Sequence, residues 1–158
     1  MNKVVPRDPY QIHDRYLGFW NNTESVKGIR SIGAIPPDIV EHIKPKLRSA
    51  IQVDSIWTPD AASQYLTQYP DITSLWLEEP TASMLITPEE IPVQFGLFDE
   101  RVAFTVHDDA TGYPHALVDT ANPETLEWAH DLYAYYRDHA QPLETWIETS
   151  DQLKATVR

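Results

Sequence analysis

The sequence predicts an α/β domain built on one mixed sheet. Three observations carry that expectation. In the first half, short apolar runs alternate with stripes at helical spacing, the pattern of β-α-β units around a parallel sheet. Between residues 93 and 118, three alternating runs follow one another with turn residues between them, as in an antiparallel meander. A final helical stripe then begins at Asn122-Pro123.

The elements follow in order. Asp8-Pro9 opens a helix in which Ile12, Tyr16, Phe19 and Trp20 share a face. SVKGIRSIG, residues 25–33, reads as a strand. Pro36-Pro37-Asp38 starts a helix with Ile39, Val40, Ile43 and Leu47 on one stripe, and Pro45 is expected to kink or end it near Lys44. IQVDSIW, residues 51–57, is a strand. Thr58-Pro59-Asp60 supplies an N-cap and a first-turn proline to a helix that buries Ala62, Tyr65, Leu66 and Tyr69. ITSLWL, residues 72–77, is expected to be a strand, with SMLI, residues 83–86, one more.

In the meander, Val93, Phe95 and Leu97 alternate, then Val102, Phe104 and Val106, then Ala116 and Val118. Asp99-Glu100 makes one turn. Asp108 to Gly112 makes the other, with glycine where positive φ costs least. On this phase Phe104 faces the core. The last helix carries Leu126, Ala129, Tyr133, Tyr136 and Ala140 on its buried stripe, widened by Trp128 and Leu132. The tail after Pro142 is weakly helical and is expected to lie over the sheet or against a partner.

The length of 158 residues suits one domain over 1–158, with its core in 8–143. The absence of cysteine excludes disulfides, thiolate metal sites and a cysteine nucleophile. No apolar run is long enough to span a bilayer, and the N-terminus has no signal-peptide pattern, so a cytoplasmic location is expected. The net charge is -12. Residues 1–77 hold 8 acidic and 8 basic side chains, whereas residues 78–158 hold 16 acidic and 4 basic. Such an anionic half repels phosphate backbones, so this stretch is not expected to bind nucleic acid by itself. It also suits solubility in concentrated salt and hence a halophilic source.

Several residue groups point to chemistry, each beside a plainer reading. His107 and His115 flank the second meander turn and, with Asp108 or Asp109, would make a metal site of two imidazoles and a carboxylate. The plainer reading is a solvated turn. Glu127 and His130 form one Glu-x-x-His pair, where a di-iron bundle needs two, so a solvated helix face is expected. His42-Ile43-Lys44 matches the start of the His-x-Lys-x-x-x-x-Asp motif of phospholipase D enzymes. Ser49 stands where the aspartate belongs and no second copy exists, so phosphodiesterase chemistry is rejected. No glycine-rich phosphate loop or Gly-x-Ser-x-Gly occurs. Lys27, Arg30, Lys44, Lys46 and Arg48 form a basic group around one strand and one helix, either an anion site or ordinary surface balance. Trp57 and Trp76 end expected strands, and the carboxyl ends of strands are where open α/β sheets bind ligands. Plain core packing is the competing reading for both.

The segments DPYQIHDRYLGFWNNTESVKGIRSIGAIPP, VDSIWTPDAASQYLTQYP, IPVQFGLFDERVAFTVHDDATG and ALVDTANPETLEWAHDLYAYYRDHAQP resemble one archaeal domain. It is the middle or C-terminal effector domain of winged-helix transcription regulators of the methanogenesis-regulator and TrmB-like kind, abundant in haloarchaea. The resemblance covers residues 8 to 143. Its most specific parts are Phe95-Gly96-Leu97, Asp99-Glu100-Arg101-Val102-Ala103, the Asp108 to Gly112 turn, and the helix from Glu127-Trp128-Ala129 through Tyr133, Tyr136 and Arg137. The resemblance implies a phospholipase-D-like α/β fold without its catalytic residues, and a sensing and dimerising role. No winged helix precedes residue 8, so DNA is expected to be reached only through a winged-helix domain absent from this chain. The chain is then either an excised effector domain or a stand-alone relative.

The expected function is therefore a non-enzymatic, ligand-sensing and dimerising domain of a transcription regulator, with no cofactor. Trp57, Trp76 and Arg30 are the expected pocket for a small-molecule effector, and exposed Trp20 and Trp146 the expected homodimer contacts. The alternatives are a metal-assisted hydrolase using His107, Asp109 and His115, or a purely structural oligomerisation module.

Overall fold

The structure, a computed structural model, describes residues 2–4, 9–49, 51–108 and 110–149. Strand β1 (Asn2–Val4) precedes helix α1 (Pro9–Asn21), strand β2 (Ser25–Arg30), helix α2 (Pro37–Leu47) and strand β3 (Gln52–Trp57). Helices α3 (Pro59–Gln68) and α4 (Ile72–Glu78) lead to strand β4 (Ala82–Ile86). The meander is β5 (Phe95–Phe98), β6 (Arg101–His107) and β7 (Pro114–Thr120). Helix α5 (Pro123–Asp138), strand β8 (Gln141–Pro142) and helix α6 (Leu143–Thr149) follow.

All eight strands join one sheet in the order β1-β7-β6-β5-β2-β3-β4-β8. β2, β3 and β4 are parallel, and the meander adds antiparallel strands beside β2. The mixed α/β sheet with a β-α-β-α-β start is thus the observed architecture. Its third parallel strand is Ala82–Ile86, reached through two helices rather than one.

Capping chemistry sets the helix starts. The Thr58 side chain accepts from the Ala61 N–H, with Pro59 in the first turn. The Asn122 side chain accepts from the Glu124 and Thr125 N–H groups, with Pro123 following it. The Asp99-Glu100 turn holds Asp99 at φ 54, and its carboxylate accepts from the Glu24 and Ser25 N–H groups at 3.0–3.2 Å. An aspartate tolerates that left-handed backbone, and here its side chain also ties the meander to the start of β2.

Three expectations are corrected. Residues 72–77 are helical, not a strand. Ile72, Leu75 and Trp76 fall at helical i, i+3, i+4 spacing and bury one side while Leu77 stays exposed. Helix α2 does not end at Lys44 but runs through Pro45 to Leu47, whose fully buried side chain anchors the last turn. The burial of Val106 on β6 is the third: Val102 is fully buried on the expected face, but Val106 is not. The sheet is covered on both sides: α1 to α4 and α6 pack on one face, and α5 on the other. Ala103, Thr105 and His107 point under the thicker layer and are buried, whereas Val106, on the α5 side, is 57% exposed. Phe104 packs only partly buried beneath α5. Phe104→Ala is therefore expected to cost roughly half the ~3–5 kcal/mol of a fully buried phenylalanine, as urea unfolding would read.

Candidate functional site

The site starts from two of the five glycines. Gly28 on β2 and Gly96 on β5 are register partners in the middle of the sheet, facing α1 and α2. A Cβ at Gly96 would strike the Phe98 ring. A Cβ at Gly28 would meet only the Phe95 carbonyl, at 3.9 Å. The missing side chain at Gly28 leaves a cavity of about 70 Å³ between the sheet and its helical layer, while the Phe98 ring covers Gly96 beside it.

The parallel pairing of β2 and β3 places Arg30 opposite Trp57, each the last residue of its strand. The Arg30 guanidinium lies over the Trp57 indole, 5.6 Å from the ring centroid. Tyr65 from α3 stacks on Trp57, with centroids 4.7 Å apart and planes 10° apart. Trp57 donates its indole N–H to Ser55 Oγ, and Trp76 donates its own to Tyr65 Oη. The two indoles therefore present apolar surface to the cavity. Burial pushes the Tyr65 phenol's pKa up, against the Trp76 hydrogen bond and the Arg30 charge, so it stays protonated.

His107 comes in from β6 and is buried. Its Nδ1 lies 2.9 Å from the Gly112 carbonyl, which only accepts, so Nδ1 carries a proton. Its Nε2 faces Arg30 Nη1 at 3.4 Å, and Tyr16 packs edge-on against the ring at 5.8 Å. Gly112 can supply that carbonyl because its φ is +78 and it packs directly on the Ala34 backbone.

The structure brings Arg30, Trp57 and Trp76 to this one cavity together with His107. Trp76 arrives from helix α4, not from a strand end. Of the proposed metal hairpin, Asp109 and the His115 side chain lie outside the described residues. Among the described residues, no group of three His, Asp or Glu side chains forms a metal cluster. The basic group disperses. Lys27 lies over the Tyr133 ring on the α5 side, Lys44 pairs with Glu41 and Asp71, and only Arg30 enters the cavity. His42 and Lys44 face away from the cavity wall that Ile43 forms, with His42 bonded to Asn21 Oδ1. Glu127 and His130 are exposed on α5. Trp20 is not an exposed interface residue; it is buried against Phe98 and lines the cavity, because α1 turns that face inward. Trp146 is partly buried against the same core.

Sequence reasoning did not single out Gly28, Gln94 and Tyr65. Gly28 carried a signal, since an isolated glycine inside a strand marks a place where something other than its own side chain fills the space.

A family model of the methanogenesis regulatory protein FilR1, middle domain, matches residues 9–139. No curated protein matches the chain. Among solved structures, NucT from Helicobacter pylori is similar with TM-score 0.70 at 15% identity, over 90% of this chain and 98% of that one. TrmBL2, described as an archaeal chromatin protein with a novel mode of DNA binding, is similar with TM-score 0.63 at 13% identity, over 90% of this chain and 55% of that one. Phosphatidylserine synthase of Haemophilus influenzae is similar with TM-score 0.64 at 10% identity, over 89% of this chain and 39% of that one. At these identities the solved structures speak to fold alone, and the fold is phospholipase-D-like. No complete His-x-Lys-x-x-x-x-Asp motif accompanies it in the sequence. The family model covers most of the chain, from the first helix to the end of α5, and the chain belongs to the family of the FilR1 middle domain, a domain of a methanogenesis regulatory protein.

Proposed function

We propose that this domain senses a small molecule in the cavity between Arg30, Trp57 and Trp76 and reports its occupancy through a homodimer, without catalysing a reaction. The observation that carries the reading is a hollow, aromatic-walled cavity between the sheet and its helical layer, reaching the carboxyl ends of β2 and β3 at Arg30 and Trp57, inside a regulatory family. DNA would be engaged by a winged helix outside this stretch, in the cytoplasm. No helix among the described residues is long and apolar enough to cross a membrane.

Val106 and Trp128 support a dimer surface on the α5 face. They are 57% and 47% exposed, and Trp128 sits 6.0 Å from Phe104 between them and the core. Changing Trp128→Glu or Val106→Asp is expected to shift a dimer toward monomer in light scattering, with the thermal midpoint of the monomer preserved. An unchanged mass would place the contact elsewhere.

The sensing half is tested by thermal unfolding with sugars, phosphosugars, nucleotides, amino acids, organic acids and divalent metals. The charge of -12 makes molar salt the appropriate condition for a second series. A ligand at 100 times its dissociation constant stabilises by about 2.7 kcal/mol, which moves the midpoint of a domain this size by roughly 5–10 °C. A shift with one organic compound supports the sensor. A shift with metal alone revives hydrolysis at His107, and silence across the panel favours a structural module.

A further inference from the structure

We infer that the hollow above Gly28 is a carboxylate site, sized for a short-chain organic acid whose carboxylate group meets Arg30 and whose body lies against the Trp57–Trp76 wall. This rests on the sensing role proposed above and names its ligand class.

The first support is an imbalance of hydrogen-bonding groups. Among the described residues, five buried side-chain polar atoms have no partner, and three of them belong to residues lining this cavity: Arg30 Nε, Gln94 Nε2 and Trp20 Nε1. All three are N–H donors. The Gln94 amide is oriented by its neighbour, since its oxygen accepts from the Ser31 N–H at 3.1 Å and its NH₂ is left over. Buried donors without acceptors are costly, and a ligand rich in acceptors removes that cost.

The second is charge. No carboxylate lies within ion-pair distance of Arg30 among the described residues, whereas Arg15, Arg101 and Lys44 all have one. Arg30 instead makes two long contacts, 3.4 Å to His107 Nε2 and 3.3 Å to the Ile32 carbonyl. Both contacts are at the long end and Nε–H has none, which leaves the Nε edge of the fork for a carboxylate. A cation would be repelled there.

The third is size and lining. About 70 Å³ holds on the order of five to seven non-hydrogen atoms, counting roughly one per water-sized volume. Ile35, Ile39, Ile43, Trp57 and Trp76 offer no donor to it, because the indole N–H groups of Trp57 and Trp76 are already bonded. A phosphate presents oxygens on every side and would set charge against that wall, whereas a short acid presents charge at one end only.

The test titrates the chain with butyrate, butyramide and inorganic phosphate at fixed ionic strength, read by thermal unfolding and tryptophan emission. The variants are Gly28→Val, Gly28→Ala, Arg30→Gln and Arg30→Lys. Butyrate is expected to raise the midpoint saturably, and butyramide and phosphate are not. Arg30→Gln is expected to weaken butyrate roughly 10- to 100-fold, with Arg30→Lys recovering part of the loss. Gly28→Val fills the hollow and is expected to abolish binding while unfolding stays cooperative. Should that variant not fold, Arg30→Gln decides, with Gly28→Ala as the milder filling. A butyrate shift that persists unchanged in the variants overturns the site, as does equal binding of butyramide. A phosphate shift, or a shift by another class of metabolite, that Gly28→Val removes overturns the carboxylate assignment and leaves the sensing role standing. Silence from the acids and from every other class overturns both.

Discussion

Asp119→Ala is expected to lower the unfolding free energy by about 3 kcal/mol or more, toward the ~3–5 kcal/mol of a broken buried ion pair. Asp119 is completely buried on β7. Its Oδ2 accepts from Arg15 Nε at 3.0 Å and Nη2 at 2.7 Å, and its Oδ1 accepts from Arg101 Nη1. One carboxylate thereby locks α1 onto the meander. The arginine side chains are 36% exposed and regain some water when the aspartate is lost, which holds the cost to the lower part of that range. Arg15→Ala and Arg101→Ala should each cost less, since Asp119 keeps one partner. Urea titration measures all three. A loss under about 1 kcal/mol for Asp119→Ala would mean that solvent already compensates the carboxylate.

Gly112→Ala is expected to cost at least about 3 kcal/mol, from two sources that add. At φ +78 an alanine pays the left-handed penalty of roughly 1–2 kcal/mol. Its Cβ would also overlap the Ala34 carbonyl, which is backbone and cannot rotate away, so the turn or the Gly33–Pro36 segment must move. The same displacement carries off the carbonyl that orients His107, so effector binding should fall with stability. Gly18→Ala is the control. It lies in α1 with nothing within 4 Å of its Cβ, and should stabilise by about 0.5–1 kcal/mol. Similar losses at both glycines would point to a generic helix or loop effect and sink the steric account of Gly112.

Much of the fold was legible because local chemistry announced it. Thr58-Pro59 and Asn122-Pro123 start helices for reasons contained in four residues. The alternation on either side of Asp99 and Gly112 marks hairpins in the same way. ITSLWL was not legible as a helix, because a short apolar run satisfies period two and period 3.6 at once. On β6 the expected face is buried at Val102 and partly at Phe104, and what went unread there was the other face. A sheet with helices on both faces buries both alternating sets, and the set that looked polar, Thr105 and His107, is the one under the thicker layer. The cavity is a tertiary fact. The hollow above Gly28 is walled only through the antiparallel register of β2 and β5, which sets Gly96 and the Phe98 ring beside it and which no window of neighbouring residues contains. Arg30 and Trp57 were within reach, since each ends a strand and parallel neighbours align those ends. The basic group around them was not, because charge counting ignores which way a strand residue points.

The margins of the sheet constrain how this domain can pass on a signal. β8 spans two residues and includes Pro142, which has no N–H, and β1 at the opposite margin spans three. As far as the described residues go, neither strand offers a long ladder to a strand from another chain. Among the described residues, these short margins give an incoming strand little to pair with. The proposed dimer would then rest on the helical faces and the exposed side of β6, where packed surfaces slide past one another by small amounts. A regulator built this way would transmit occupancy as shear between subunits.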